Sequence, residues 1–395
     1  MKPLVNRFSL SKKKGLVFGI LLIVSAALQF LCIDVIFGVM LLIASVFLFS
    51  SPEHCEIVLV PLIASFVERI TGKTFLDYLR EKCLRETGFS ESARCLKCPG
   101  GWAWGDSALI CTPRDMLLYG RFVGLKGKWN GKQLVPEKIF DEALADESDN
   151  FTCGYRSFGN RKYVSQFWRF YGNSFGFDGM HDQYTLYDPD TDITFTCTSG
   201  NFRGTAAGEL LHSYLFSEII ETAEKTLPEN IEAYSELEEY INGLSLVCSA
   251  GEDSSATEKE ISGKVFTAEP NDMEIEHYSL TFGEDSCVFR YKNRQGEKEI
   301  VCGRKKNVFS QFPETGYSGE IGGQVCEGHT YKCASSFAWG TANQLIITVQ
   351  IIDEYIGNLY ITFSYRDGYG RMRMVGDAEN FLGEYDGTMN AYIKE

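Results

Sequence analysis

Positive charge is scarce in this chain: 38 lysines and arginines face 53 aspartates and glutamates, a formal net charge of −15 over 395 residues. That balance argues against a phosphate-backbone partner, because nucleic-acid binders concentrate Lys and Arg. Histidine is scarcer still. There are five, and His54, His212, His277 and His329 have no partner visible in the sequence. His181 lies three residues from Asp178, but on a strand those positions face opposite sides, so no triad is legible. Cys95-Leu-Lys-Cys98 is the only C-x-x-C, and no second pair or nearby His completes a zinc set. Ser107 follows Gly105-Asp106 without the G-x-S-x-G of a nucleophile elbow. No metal or organic cofactor is implied. The 13 cysteines are odd in number and scattered singly, a pattern of reduced thiols rather than of a disulfide scaffold.

What is present begins with a basic leader and a long apolar run. Lys2, Arg7 and Lys12-Lys13-Lys14 precede a stretch from Gly15 to Ser51 whose only charge is Asp34. Gly15–Ile33 is about the length that crosses a bilayer, and Val35–Phe49 is a second, shorter run. Residues 1–51 are therefore expected to form a membrane helix or a helical hairpin turning near Asp34. The lysines would stay cytoplasmic under the positive-inside rule. A hairpin would return the rest of the chain to the cytoplasm, which suits free cysteines. The expected partner of this segment is the lipid bilayer.

Further along, local signals become specific. Val67–Phe75 carries a helix end at Gly72 and a restart, with Leu76, Leu79 and Cys83 on one face. Thr112 is suited to an N-cap, Pro113 to the first helical position and Asp115 to the first turn. Asn130-Gly131 is a tight-turn signal. Ser174–Asn201 predicts a strand, a turn at Asp188-Pro189-Asp190 and another strand. Ile231–Leu244 predicts an acidic helix, and Ser249–Gly263 a Ser/Glu-rich mobile linker. Beyond Lys264 the period switches to strands. The predicted runs are Ser286–Lys292, Glu297–Gly303, His329–Phe337, Gln344–Ile352, Asn358–Tyr365 and Arg371–Val375, arranged as an antiparallel meander. Phe337, Trp339, Tyr355 and Tyr365 are expected either in its core and rim or lining a ligand cup.

Taken in order, Val67–Phe75, Gly100–Met116, Trp129–Pro136, Cys153-Gly154-Tyr155 with Gln166-Phe167-Trp168, Ser174–Asn201 and the helix Gly208–Thr226 resemble the serine β-lactamase and penicillin-binding-protein-like superfamily, in its class C and esterase branch. The resemblance covers about residues 61–226. It implies an α+β fold: an antiparallel sheet flanked by helices over 52–226, here incomplete. The acidic helix and linker then occupy 227–263, and an all-β barrel-like or sandwich domain occupies 264–395.

The resemblance also implies where chemistry should sit. Its enzymes use S-x-x-K, with the serine acylated and the lysine one helical turn away. Ser9–Lys12 and Ser11–Lys14 fit that spacing, but in a leader where lysine would be solvated rather than tuned by burial. The Tyr-x-Asn position falls on Cys55-Glu56-Ile57. The third box, Lys-Thr-Gly or His-x-Gly in the family, falls on Phe177-Asp178-Gly179, where a ring replaces the basic residue and a carboxylate follows. Gly179 is needed there for close approach to a ligand or for packing alone. Three readings follow: a serine hydrolase acting on a small acyl substrate (an ester, amide or β-lactam), a membrane-attached protein binding a small or peptide ligand without turnover, and an incomplete domain completed by an oligomer.

Overall fold

The structure, a computed structural model, describes residues 55–105, 107–145, 148–149, 162–164, 167–201, 205–224, 228–378 and 382–393. They form two compact units, one up to Cys111 with Glu320–Gly322 and one from Thr112 onward.

In the first unit, helix α1 (Cys55–Thr71) stops at Gly72, whose φ of +66° is a left-handed turn that glycine takes without strain. Thr74 restarts the chain as an N-cap, its hydroxyl accepting from the Asp77 amide at 3.1 Å. Helix α2 (Phe75–Leu79) runs through a π-turn at Arg80–Leu84 into α3 (Arg85–Thr87). Leu76, Cys83 and Leu84 are buried. The buried Arg80 guanidinium donates to the carbonyl oxygens of Glu91 (3.2 Å) and Ala93, tying the next loop down. Two short strands follow, β1 (Arg94–Cys95) and β2 (Leu109–Ile110), paired antiparallel.

The expected membrane helix or hairpin is corrected here. Among the described residues no helix is long and apolar enough to cross a membrane. The longest of them, α1, has 17 residues. At about 1.5 Å per residue it falls short of a hydrocarbon core about 30 Å thick. The apolar run before Ser51 lies outside the described residues.

Among its described residues the second unit holds two large sheets and one two-stranded sheet. Helix α4 (Pro113–Gly124) starts with the expected cap. Thr112 accepts from the Asp115 amide, and Asp115 accepts from the Thr112 amide, a reciprocal capping box. Asn130 and Gly131, with φ of +46° and +82°, make the tight turn between β3 (Lys128–Trp129) and β4 (Lys132–Gln133). Helix α5 (Glu137–Ala145) follows. The first sheet contains β5 (Ser148–Asp149), β6 (Lys162–Val164), β7 (Phe167–Arg169), β8 (Phe175–Gly179), β9 (Gln183–Asp188) and β10 (Ile193–Cys197), antiparallel throughout and in sequential order. Strand alternation gives it two apolar faces. Phe175 and Tyr187 pack against Val123 of α4 and Phe140 and Leu144 of α5. On the other face Tyr184 and Leu186 pack against Leu215, Phe216 and Ile220, in the π-turn that extends helix α6 (Ala207–Tyr214). Helix α7 (Ile231–Asn242) comes next, and then a short helix α8 (Thr257–Ile261).

The expected linker is not a free tether. Buried Ser249 Oγ donates to the Ser336 carbonyl at 3.1 Å and lies 2.9 Å from Thr348 Oγ1, and Glu252 forms a bridge with Trp339.

The remaining chain closes a β-barrel, which settles the barrel-or-sandwich alternative. Its strands are β11 (Val265–Ala268), β12 (His277–Phe282), β13 (Ser286–Asn293), β14 (Gly296–Arg304), β16 (Tyr331–Thr341), β17 (Gln344–Ile352), β18 (Ile356–Arg366), β19 (Tyr369–Ala378) and β20 (Gly387–Ile393). Two pairings close it: first strand to last, with Phe266 opposite Ile393, and a parallel seam with Gly303 opposite Ser336. Strand β15 (Val308–Phe312) adds to the first half of β16 from outside the ring.

Alternate residues fill the interior. Leu345, Ile347 and Val349 of β17, Leu359, Ile361 and Phe363 of β18, and Met372 and Met374 of β19 are fully buried. Each such side chain contributes about 1.5–3 kcal/mol of transfer free energy. Phe337, Trp339, Tyr355 and Tyr365 are buried too. The barrel is thus a packed core in which rings stack, as Phe266 does on Tyr278 at 5.0 Å.

Candidate functional site

The third-box strand is β8, and α4 determines what surrounds it. Gly120 and Gly124 sit one turn apart on α4 and let its backbone approach β9. A Cβ on Gly120 would lie 2.4 Å from Thr185 Cγ2, and one on Gly124 would lie 2.3 Å from the Tyr187 ring. This close approach sets Tyr119 over Phe177. The rings stack with centroids 5.5 Å apart at 21°, and the Phe167 ring lies 5.3 Å from that of Phe177. Phe177 is therefore part of the apolar cluster between α4 and the sheet. Asp178, half-buried, points to the opposite face by strand alternation. A Cβ on Gly179 would sit 3.3 Å from Gln183 Cβ, tight contact with the strand opposite.

Beyond Gly179 the β8–β9 hairpin turns through two left-handed non-glycine residues, His181 (φ +59°) and Asp182 (φ +65°). Such positions are costly and persist where surrounding contacts impose them. Here the contacts are dense. Asp182 accepts from Tyr184 Oη at 2.8 Å and from Asn201 Nδ2 at 2.9 Å. Ser199 Oγ donates to the carbonyl of His181 at 2.6 Å. His181 Nδ1 lies 2.7 Å from the Asn201 carbonyl, which can only accept, so Nδ1 carries the proton. The same nitrogen is 3.7 Å from Asp377 Oδ2 on barrel strand β19.

An imidazole protonated at Nδ1 with a carboxylate beside it has the form of an oriented base. Its Nε2 is nevertheless sealed from solvent with no hydrogen-bond partner among the described residues, and the nearby Ser199 hydroxyl is committed to a backbone carbonyl. Among the described residues no nucleophile–base pair forms here. The cluster clamps a strained turn and joins the sheet to the barrel, where Asn358 Nδ2 also donates to the Gly200 carbonyl. From the sequence, His181 is expected on one strand with Asp178, with the turn at Asp188-Pro189-Asp190; the structure instead breaks that strand at His181 and Asp182. Asp377, nearly two hundred residues away, carried no local signal.

At the far end of β9, Tyr187 and Arg121 meet Asp192, itself left-handed at φ +60°. Tyr187 Oη and Arg121 Nη2 each donate to its carboxylate at 2.8 Å. The Arg121 hydrogen bond, with that of Tyr187, holds Asp192 below the usual carboxylate range. Burial, reinforced by Asp192, pushes Tyr187 up to about 12.

The other sequence candidates are dispersed. Ser9, Ser11, Lys12, Lys14 and His54 lie outside the described residues. Cys55-Glu56-Ile57 forms the first turn of α1, not a loop. Cys95 lies on β1 with its thiol 3.8 Å from the Ser107 carbonyl. Cys197 is half-buried on β10, and burial raises its thiol pKa. His212 is buried, its ring 4.3 Å from that of Tyr184.

No family model and no curated protein matches the chain. Among solved structures it matches one described as "Putative 6-aminohexanoate-dimer hydrolase from Bacillus anthracis", at 20% identity and a TM-score of 0.33. The match covers 47% of this chain and 43% of that protein, so the chain spans less than half of its length.

Proposed function

We propose that this chain uses a sheet related to serine hydrolases as a binding scaffold and does not turn over an acyl substrate. One observation carries the reading: the stack of Phe177 on Tyr119. In the superfamily that the sequence resembles, the Phe177 position is basic and clamps a substrate carboxylate. Here it carries a ring packed into the cluster under α4. A ring offers an anion no comparable attraction, and the next residue, Asp178, brings a carboxylate rather than a cation to the other face of the same strand. A scaffold can keep its fold after losing such a site, because different residues specify the two. The ligand that suits this edge is an uncharged or cationic small molecule or peptide.

The test is labelling of the full chain with a fluorescent fluorophosphonate, mapping of any modified peptide, and assay against a chromogenic ester. The expected result is a folded protein, by circular dichroism, with no labelled serine and no turnover. A labelled serine, at Ser9, Ser11 or elsewhere, whose replacement by alanine abolishes ester hydrolysis would overturn the proposal and establish an enzyme.

A further inference from the structure

Two cysteines face each other inside the barrel. Cys287 of β13 stands directly opposite Cys302 of β14, and the next inward pair is Phe289 with Ile300. Cys287, Phe289 and Cys302 are fully buried and Ile300 nearly so, so both thiols project into the core. Each is a free thiol.

The register fixes their spacing. The Arg304 amide donates to the Asp285 carbonyl at 2.9 Å, and opposed residues along an antiparallel ladder alternate between hydrogen-bonded and non-hydrogen-bonded pairs. Two positions on, Cys287 and Cys302 are again a hydrogen-bonded pair, with Cα atoms about 5.5 Å apart. A disulfide spans about 4.4–6.8 Å between Cα atoms. The strands already stand at that distance. A third thiol, Cys333 of β16, is also fully buried. The residues opposed to it are Ser310 and Ile351, and its sulfur lies 3.4 Å from Ser310 Oγ.

Sealed thiols do not react where they are. Burial pushes both well above the ordinary thiol range, and the thiolate is the reactive form. Access comes from the seam of the barrel. Strand β14 is paired with β13 from Gly296 to Gly303, whereas across the seam it meets β16 at Gly303 and Arg304 alone among the described residues. Elements held by few contacts open locally ahead of the rest, so the β13–β14 hairpin is the part that separates from β16 and brings Cys302 to solvent.

We propose that Cys287 and Cys302 are a reversible redox site, which a low-molecular-weight disulfide such as oxidised glutathione converts to a disulfide stapling β13 to β14. The Cys302 thiolate, exposed as the seam opens, attacks the glutathione disulfide, forms a mixed disulfide and releases one glutathione thiolate. The Cys287 thiolate then attacks the Cys302 sulfur and expels the second. The two cysteines lose two electrons, one glutathione disulfide gains them, and the two thiol protons pass to the two glutathiones. The staple closes a loop of about 15 residues, which lowers the entropy of the unfolded chain and stabilises the barrel.

The experiment incubates the full chain with oxidised glutathione just below its unfolding midpoint. Free thiols are then blocked with iodoacetamide under denaturing conditions, and an unreduced tryptic digest is read by mass spectrometry. Tryptic peptides 265–290 and 299–304 hold one cysteine each, Cys287 and Cys302. The expected product is these two peptides joined, and parted again by dithiothreitol. The thermal midpoint of the oxidised protein is expected to rise by about 5 °C or more, reversibly. Cys302→Ala removes both the joined peptide and the rise, and Cys333→Ala keeps both. Should either variant fail to fold, the peptide map and midpoint of the unsubstituted chain decide alone. Recovery of the two peptides only as separately blocked thiols would overturn the proposal. So would a link from Cys302 to Cys333 instead, a joined peptide without a higher midpoint, or a rise that survives Cys302→Ala.

Discussion

The indole of Trp339 and the guanidinium of Arg304 share one carboxylate. Trp339 Nε1 donates to Glu258 Oε1 at 2.7 Å, and Arg304 Nη1 donates to the same oxygen at 2.7 Å. Arg304 also lies over the Phe337 ring, 4.9 Å from its centroid. Glu258 belongs to α8, inside the stretch whose sequence predicted a linker. Its hydrogen bond to Arg304 is the main cause of the raised pKa of that guanidinium. Thr257, its neighbour, donates to the Ala342 carbonyl at 2.8 Å, so α8 is held on the β16–β17 hairpin.

Glu258→Ala therefore leaves a buried indole N–H without its acceptor and a mostly buried guanidinium without its counter-charge, though still hydrogen-bonded to the Glu284, Asp253 and Gly283 carbonyls. The expected loss is about 2–3 kcal/mol, read by urea unfolding with tryptophan fluorescence. The double variant Glu258→Ala/Arg304→Ala is expected to lose less than the two single losses combined. A single-variant loss below about 0.5 kcal/mol would contradict the shared-carboxylate account.

The approach of α4 to the sheet gives a second prediction. Within a helix, alanine is favoured over glycine by about 1 kcal/mol. At Gly124 the new Cβ would meet the Tyr187 ring at 2.3 Å, and overpacking of this kind costs typically about 1–3 kcal/mol. Sterics outweigh propensity, so Gly124→Ala is expected to lower the midpoint of thermal unfolding. Gly383, with nothing within 4 Å of a built Cβ, is the control. Gly383→Ala should change stability by less than about 0.5 kcal/mol. Equal midpoints for the two variants would show that α4 can move away from β9 at little cost.

Asp192 gives a pH dependence with a definite sign. Its folded-state pKa is lowered, chiefly by the hydrogen bond from Arg121. The stability it contributes is therefore present above the ordinary carboxylate range and is lost as pH falls through the folded value. Its side chain is more than half exposed, so the effect is modest. Asp192→Asn suits the left-handed φ of +60° and removes the charge. The stability gap between wild type and Asp192→Asn should be largest near neutral pH and should close as the wild-type carboxylate protonates. A gap constant from about pH 7 to about pH 2 would rule out the ion pair as its source.

Several local features were legible in the sequence because their causes are local. The Thr112–Asp115 capping box needs only residues three apart, and the Asn130-Gly131 turn needs only two tolerant φ angles. Gly72 ends α1 for the same kind of reason. Strand Gln344–Ile352 was legible to the residue, since its alternation faces one continuous core. Strands β11, β12, β15 and β20 were not, because short runs such as Val308–Phe312 acquire meaning only from their partners. The apolar run before Ser51 argued for a membrane segment. The described helices contain none, and α1 is too short to be one.

The sequence by itself determined where the chain turns, which helix ends are capped and which faces are apolar, since these depend on φ preferences and hydrogen bonds within a few residues. It also marked Phe177 and Asp178 as the wrong chemistry for an anion clamp. Only the tertiary structure decided that Phe177 stacks on Tyr119, that His181 meets Asp377, and that β11 pairs with β20 to close a barrel. Each of these joins segments more than fifty residues apart. Their pairing is selected by which surfaces can be buried together, a property of the whole chain that no short window of sequence contains.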